Sequence, residues 1–147
     1  MDNRGFVIAP LVVSPVNRHD ITLFPDSLDQ LTDFAHLISM DLTGSYLTLD
    51  SGFYSEHNHW LIHSHGMIPV IKPNRGGTKD ERKIEAMYAD FNEPIYKLRF
   101  AIERTFAWQD TYRKLAVSYE RLEATRLGFK YLGYSLMNLR VFVRNPK

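Results

Sequence analysis

The sequence contains no cysteine, which excludes a disulfide framework and any zinc site built on thiolates, so a bound metal would have to be held by carboxylate or imidazole. It also lacks an apolar run approaching the roughly 20 residues needed to span a bilayer, and no basic segment leads into an apolar stretch at the N-terminus. Both absences predict a chain that does not cross a membrane, and the lack of cysteine suits a reducing cytoplasm. No internal repeat or low-complexity tract is present. What the chain does have is apolar material, 44% of its 147 residues with 13% aromatic, enough to bury a core and to predict one domain over 1–147.

The formal charge of +1 conceals a division. Residues 1–90 carry 7 Lys/Arg against 12 Asp/Glu, net −5, whereas residues 91–147 carry 11 against 5, net +6. A basic segment joined to an acidic one predicts a local contact with a polyanion; the alternative is a helix with a solvated cationic face.

Gly5 to Val13 is β-branched and apolar, follows the turn-like Asp2-Asn3-Arg4-Gly5, and predicts a strand leaving a tight turn. The chain thus begins in mid-hairpin and is expected to be N-terminally truncated, with the preceding strand lost or on another polypeptide. Ser27 with Gln30 forms a capping-box pattern, and Leu28, Leu31, Phe34, Ala35 and Ile38 recur at helical spacing, predicting a helix over 27–40. Ser45 to Leu49 predicts a short strand ending at Asp50. Ser55 to His65 predicts a helix closed by Gly66, and Met67 to Lys72 a second strand. Pro73 to Thr78 predicts a turn-rich, mobile loop and Lys79 to Tyr88 a short helix. Two long helices complete the expectation. One runs from Asn92 to about Asp110; the other carries Leu122, Phe129, Leu132, Leu136, Leu139 and Val143 on a stripe that should dock on the sheet. Alternating strands and helices define an α/β class.

On a continuous helix from Asn92, Ile95, Leu98, Ile102 and Phe106 share the core face, while Tyr96, Arg99 and Glu103 fall on an adjacent polar stripe. That stripe is either an ordinary surface ion pair, worth about 0.3–0.5 kcal/mol, or half of a site. Asp50 favours the site, because a carboxylate at the C-terminal end of a strand in an open α/β sheet lies where ligands usually bind. Two converging carboxylates could hold hard divalent ions such as Mg²⁺, which take oxygen ligands from one or two carboxylates, water and phosphate.

Three runs carry a family resemblance: Leu47-Thr48-Leu49-Asp50-Ser51-Gly52-Phe53-Tyr54-Ser55, then Gly66-Met67-Ile68-Pro69-Val70-Ile71-Lys72-Pro73, then Tyr96 through Trp108, read YKLRFAIERTFAW. In residues, order and spacing they resemble the DDE transposases of bacterial insertion sequences. The likeness covers nearly the whole chain: Asp2-Asn3-Arg4-Gly5 is similar to the turn of the family's early hairpin, Asn17-Arg18-His19-Asp20 to the following loop, and Tyr112 to Arg121 to the basic segment after the catalytic helix. The resemblance implies an RNase H-like mixed sheet flanked by helices. It also implies phosphoryl transfer on DNA with two Mg²⁺ or Mn²⁺ ions about 3.5–4 Å apart. Asp50 and Glu103 would be the second and third acidic residues. Tyr96, Arg99 and Arg104 would hold the double-stranded DNA of the transposon ends, in a homodimeric synaptic complex associated with the bacterial nucleoid.

Two departures from the family pattern stand out. Where many relatives have lysine seven residues after the glutamate, this chain has Asp110, leaving Arg113 and Lys114 as substitutes. The family's first aspartate lies on a strand before the early hairpin, so the site requires a third carboxylate that this chain does not supply. Asp2 matches the hairpin-turn aspartate, a position favoured for local hydrogen bonding, and not the metal ligand. The missing strand is expected either from a truncated gene or from an upstream open reading frame whose product is joined by frameshifting.

Other features have competing readings. His57, His59, His63 and His65 form a cluster in which His59 and His63 have the spacing of a helical metal pair, but no nearby carboxylate or cysteine completes it, and solvent-facing histidines are the expectation. Lys72, Arg75 and Lys79 around Gly76-Gly77 either clasp a phosphate backbone or decorate an exposed loop. Trp108 either stacks on a flipped base or belongs to the core. Three functions follow in order: a transposase inactive by itself, a non-catalytic DNA-binding remnant of one, or another RNase H-like nuclease such as a resolvase.

Overall fold

Tyr46–Leu49 and Ile68–Ile71 form the strands β1 and β2 of the computed structural model, paired in parallel with Tyr46 opposite Ile68 and Leu49 opposite Ile71. Parallel neighbours need a crossover, and here it is a helix. The structure describes residues 1–2, 4–12, 20–111 and 122–144, without the side chains of 20, 104–106 and 109. The chain divides into two compact units: Val12–Lys97, and Met1–Leu11 with Leu98–Lys147.

In the unit Val12–Lys97, helix α1 (Asp20–Leu37) precedes β1, and α2 (Glu56–Ser64) makes the crossover to β2. The expected α2 signals hold. Ser55 Oγ accepts the Asn58 N–H at 3.1 Å as the N-cap, and Gly66, at φ 74°, takes the left-handed conformation that ends the helix. Phe24 and Leu28 of α1 pack with Ile62 of α2, Met67 and Ile71 in one buried cluster, and Phe53 meets Phe24 edge-on at 5.6 Å. Asn58 is the buried polar residue there; its Nδ2 donates to the Phe53 carbonyl at 2.7 Å, which ties α2 to the turn after β1.

Helix α1 begins seven residues before the expected Ser27 start and contains Pro25. An interior proline costs about 3 kcal/mol, whereas burying Phe24 and Leu28 contributes roughly 1.5–3 kcal/mol each, so core packing carries the helix through the proline. Ser27 is therefore interior, and its hydroxyl donates to the Leu23 carbonyl at 2.8 Å instead of capping. The helix ends at Leu37 because Ser39 enters the left-handed region at φ 56°, letting Met40 N–H reach the Ala35 carbonyl at 2.8 Å and Ser39 N–H that of His36 at 3.1 Å. Helices α3 (Glu81–Tyr88) and α4 (Glu93–Lys97) complete the unit, and α4 packs on both strands.

In the other unit lie α5 (Phe100–Thr111) and α6 (Glu123–Arg144). The single helix expected from Asn92 to Asp110 is broken at Leu98 and Arg99, where Ala101 N–H bonds the Leu98 carbonyl and Ile102 N–H the Arg99 carbonyl three residues back. No glycine or proline marks this break, and the boundary between the two units falls beside it.

Residues 5–12 do not form the expected strand. The turn before them is present: Gly5 N–H bonds the Asp2 carbonyl, and Asp2 Oδ1 accepts the N–H groups of Arg4, Gly5 and Phe6 at 2.8–3.0 Å. Beyond it, the Asn138 side chain of α6 takes the place of a partner strand, accepting Val7 N–H at 2.8 Å and donating to the Val7 carbonyl at 3.0 Å. Tyr131 Oη accepts the Leu11 N–H at 3.3 Å. Met137 of α6 is buried, while Leu122, Leu132, Leu136, Leu139 and Val143 are exposed, Val143 by 66%. Of the expected apolar stripe, Phe129 is half-buried and the others are exposed.

Candidate DNA-binding and catalytic site

Asp50 is the first residue beyond β1 and Lys72 the first beyond β2, and because Leu49 pairs with Ile71 the two stand at the same C-terminal edge of the parallel sheet. Both are exposed. The Asp50 backbone is extended, and its carbonyl accepts the Phe53 N–H at 3.0 Å to open a 3₁₀ turn over Ser51–Phe53; its carboxylate makes no capping bond to that turn.

The loop after Lys72 is a defined turn. Gly76 and Gly77 both have positive φ, 52° and 84°, and Thr78 N–H bonds the Arg75 carbonyl at 2.7 Å, a pairing that only residues tolerant of left-handed backbone can make. Asn74 Oδ1 accepts the Gly76 N–H at 3.1 Å. The Arg75 guanidinium lies 5.6 Å from the centre of the Tyr88 ring. Tyr88 meets Phe91 at 5.7 Å and 87°, and Phe91 meets Tyr96 of α4 at 5.2 Å and 60°. Arg75 and Tyr96, which the sequence offered as separate DNA contacts, are thus joined by two aromatic residues that sequence reasoning passed over. The spacing of Tyr88, Phe91 and Tyr96 around the Asn92 helix start was the available signal.

The other proposed residues lie in the second unit. Arg99 is half-buried at the start of α5, Glu103 is exposed one turn further on, and Arg104 lies on the α5 backbone. Tyr96, Arg99 and Glu103 share a stripe only on an unbroken helix; the structure places Tyr96 on α4 and Glu103 on α5. Arg113 and Lys114 lie outside the described residues. Trp108 is half-buried with the Arg140 guanidinium 4.6 Å from its ring centre, so one face of the indole is taken by α6.

The histidines of α2 and its C-terminus have different surroundings. His57 stacks on exposed Trp60 at 6.2 Å, and His65 bridges the Leu61 carbonyl at 2.9 Å and the Asp29 carboxylate at 3.0 Å. His59 packs edge-on against Tyr54, with Nε2 buried and without a hydrogen-bond partner. Burial first, and the neighbouring His63 second, push the His59 pKa below its ordinary value. Among the described residues no group of three or more His, Asp or Glu side chains is placed to hold a metal ion, so these residues do not by themselves fit the divalent site that the sequence implied. Among the same residues no helix is long and apolar enough to cross a membrane.

Compared with known families, residues 1–132 match the one described as Transposase DDE domain, and the chain belongs to the DDE transposase family. Neither the curated proteins nor the solved structures provide a match. Membership carries a general transposase function acting on DNA and a chemistry that in this family uses divalent metals. The combination of helices with a small parallel sheet, an α/β composition, is consistent with it.

Proposed function

We propose that residues 1–147 belong to the RNase H-like catalytic domain of an insertion-sequence transposase, which cleaves DNA at the transposon ends and transfers the strand. Asp50 and Glu103 are its carboxylates in this reading, and Tyr96, Arg99, Arg104, Lys72, Arg75, Arg113 and Lys114 its DNA contacts. The observation that carries the proposal is the placement of Asp50 and Lys72 at one C-terminal sheet edge in a chain of this family. A carboxylate there meets the reacting phosphodiester and an adjacent lysine meets the flanking phosphate. The described residues do not complete a metal-holding group, so the reading assigns the third carboxylate to a source outside them, such as an upstream reading-frame product.

A second reading, a DNA-binding remnant without chemistry, is favoured by the charge of the unit Met1–Leu11 with Leu98–Lys147. It has 11 Lys/Arg against 5 Asp/Glu, net +6, while Val12–Lys97 has 7 against 12, net −5. Both readings expect duplex binding that weakens linearly in log K against log salt. Fluorescence anisotropy with duplexes carrying the element's ends and with unrelated duplexes tests this. A transposase should prefer the end sequence, whereas equal, salt-sensitive affinity for both favours the remnant, and no binding at low salt defeats both readings.

A further inference from the structure

The residues outside the proposed contacts that the structure ties most closely to them are Tyr88 and Phe91. Arg75 sits in a turn whose backbone is closed by the Thr78 to Arg75 bond, and its guanidinium lies against the Tyr88 ring at 5.6 Å. That ring is itself braced edge-on by Phe91, which packs on Tyr96 of α4. The Tyr88–Phe91 pair has the edge-to-face geometry that aromatic rings prefer, so Phe91 helps to fix the plane of the Tyr88 ring. Helix α4 packs on β1 and β2, the strands that end at Asp50 and Lys72. A continuous series of contacts within one compact unit therefore runs from the sheet to an exposed arginine on a glycine turn.

A guanidinium bound to an aromatic ring through its face keeps its in-plane N–H donors, and those donors match a phosphate bidentately. An exposed Arg side chain otherwise loses rotamer entropy when it is ordered on a ligand. We propose that Tyr88, braced by Phe91, is a positioning residue that pre-sets the Arg75 guanidinium to grip a DNA backbone phosphate beside the Asp50 edge. The inference rests on the reading of Arg75 as a DNA contact, and its test separates the two.

Duplex affinity of the full chain is measured against salt for the wild type, Arg75→Ala, Tyr88→Leu, Tyr88→Phe and the double variant Arg75→Ala/Tyr88→Leu. Arg75→Ala should lower the slope of log K against log salt by about 1 and weaken binding about five- to tenfold at 0.1 M salt. Tyr88→Leu should weaken binding about two- to fivefold, the exposed cation–π range, and Tyr88→Phe should restore it because the ring face remains. In the Arg75→Ala background, Tyr88→Leu should have no further effect. An unchanged slope in Arg75→Ala overturns Arg75 as a DNA contact, and the positioning role with it. A normal Arg75→Ala effect with an additive Tyr88→Leu loss overturns the positioning role alone. Should Tyr88→Leu not fold, the wild-type chain still decides by NMR. The Arg75 Nε–H resonance should be shifted upfield by the Tyr88 ring current and move on addition of a short duplex; absence of either effect overturns the proposal.

Discussion

His59 has a buried ring nitrogen, Nε2, without a hydrogen-bond partner, on the helix that immediately follows the Asp50 turn. Its pKa is lowered from 6.5 in the folded chain by burial and then by His63, so folding favours the neutral ring. Between the lowered folded value and 6.5 the unfolded chain binds more protons, and stability rises with pH. The contribution is fully present above 6.5 and is lost as the pH falls from there through the folded value. The thermal midpoint of the wild type should fall on going from about pH 7.5 to about pH 5.5, and that of His59→Phe, which keeps the contact with Tyr54, should fall less. Equal falls in both proteins would show that His59 is protonated without penalty. At the same scale, Asp2 illustrates why a carboxylate's position matters more than its type: three backbone N–H groups converge on one of its oxygens, a local turn role.

Among the elements, the segment after the Asp2 turn is tied to a helix by a side chain: Asn138 holds both the N–H and the carbonyl of Val7. Asn138→Ala removes both bonds and leaves the Val7 groups partly buried, so it should cost about 1–3 kcal/mol, read as a lowered urea midpoint. A change within about 0.5 kcal/mol would show that solvent replaces both bonds easily. Elements whose signals are local were legible in the sequence. The strands around Asp50 and Lys72, the Ser55 cap and the Gly66 stop needed only nearby residues. Where distant packing decides, local rules failed: Phe24 and Leu28 carried α1 through Pro25, and Val7 bonds a helix side chain, Asn138, and not a strand. The break at Leu98 and Arg99 has no marker in the sequence, and the polar stripe calculated across it was drawn on a helix that does not exist as one piece. In the candidate site, residue types and strand ends were legible from spacing. The contact series from Arg75 to Tyr96 was not, because it joins a loop and two helix ends through side chains. The exposed stripe from Leu132 to Val143 was legible as amphipathic; the bond from Val7 to Asn138 on α6 was not.

For the whole molecule, the division of charge follows the division into compact units: the unit that carries Glu103 has a net charge of +6, and the one that carries Asp50 has −5. On the proposed reading the basic unit would supply a sequence-independent attraction to the phosphate backbone, beside the separate contacts proposed for Lys72, Arg75 and Tyr96 in the acidic unit. The family match over residues 1–132 includes residues of both units. The most direct measurement is divalent-metal-dependent nicking of a duplex bearing the element's ends, with the segment that supplies the third carboxylate present. Asp50→Asn and Glu103→Gln should each abolish nicking, a loss of at least about 10³-fold if each acts on the developing charge of the transition state, while duplex affinity stays within a few-fold. Nicking that survives either substitution at near the wild-type rate would contradict the assignment of that carboxylate and the reading of this chain as part of a transposase active site.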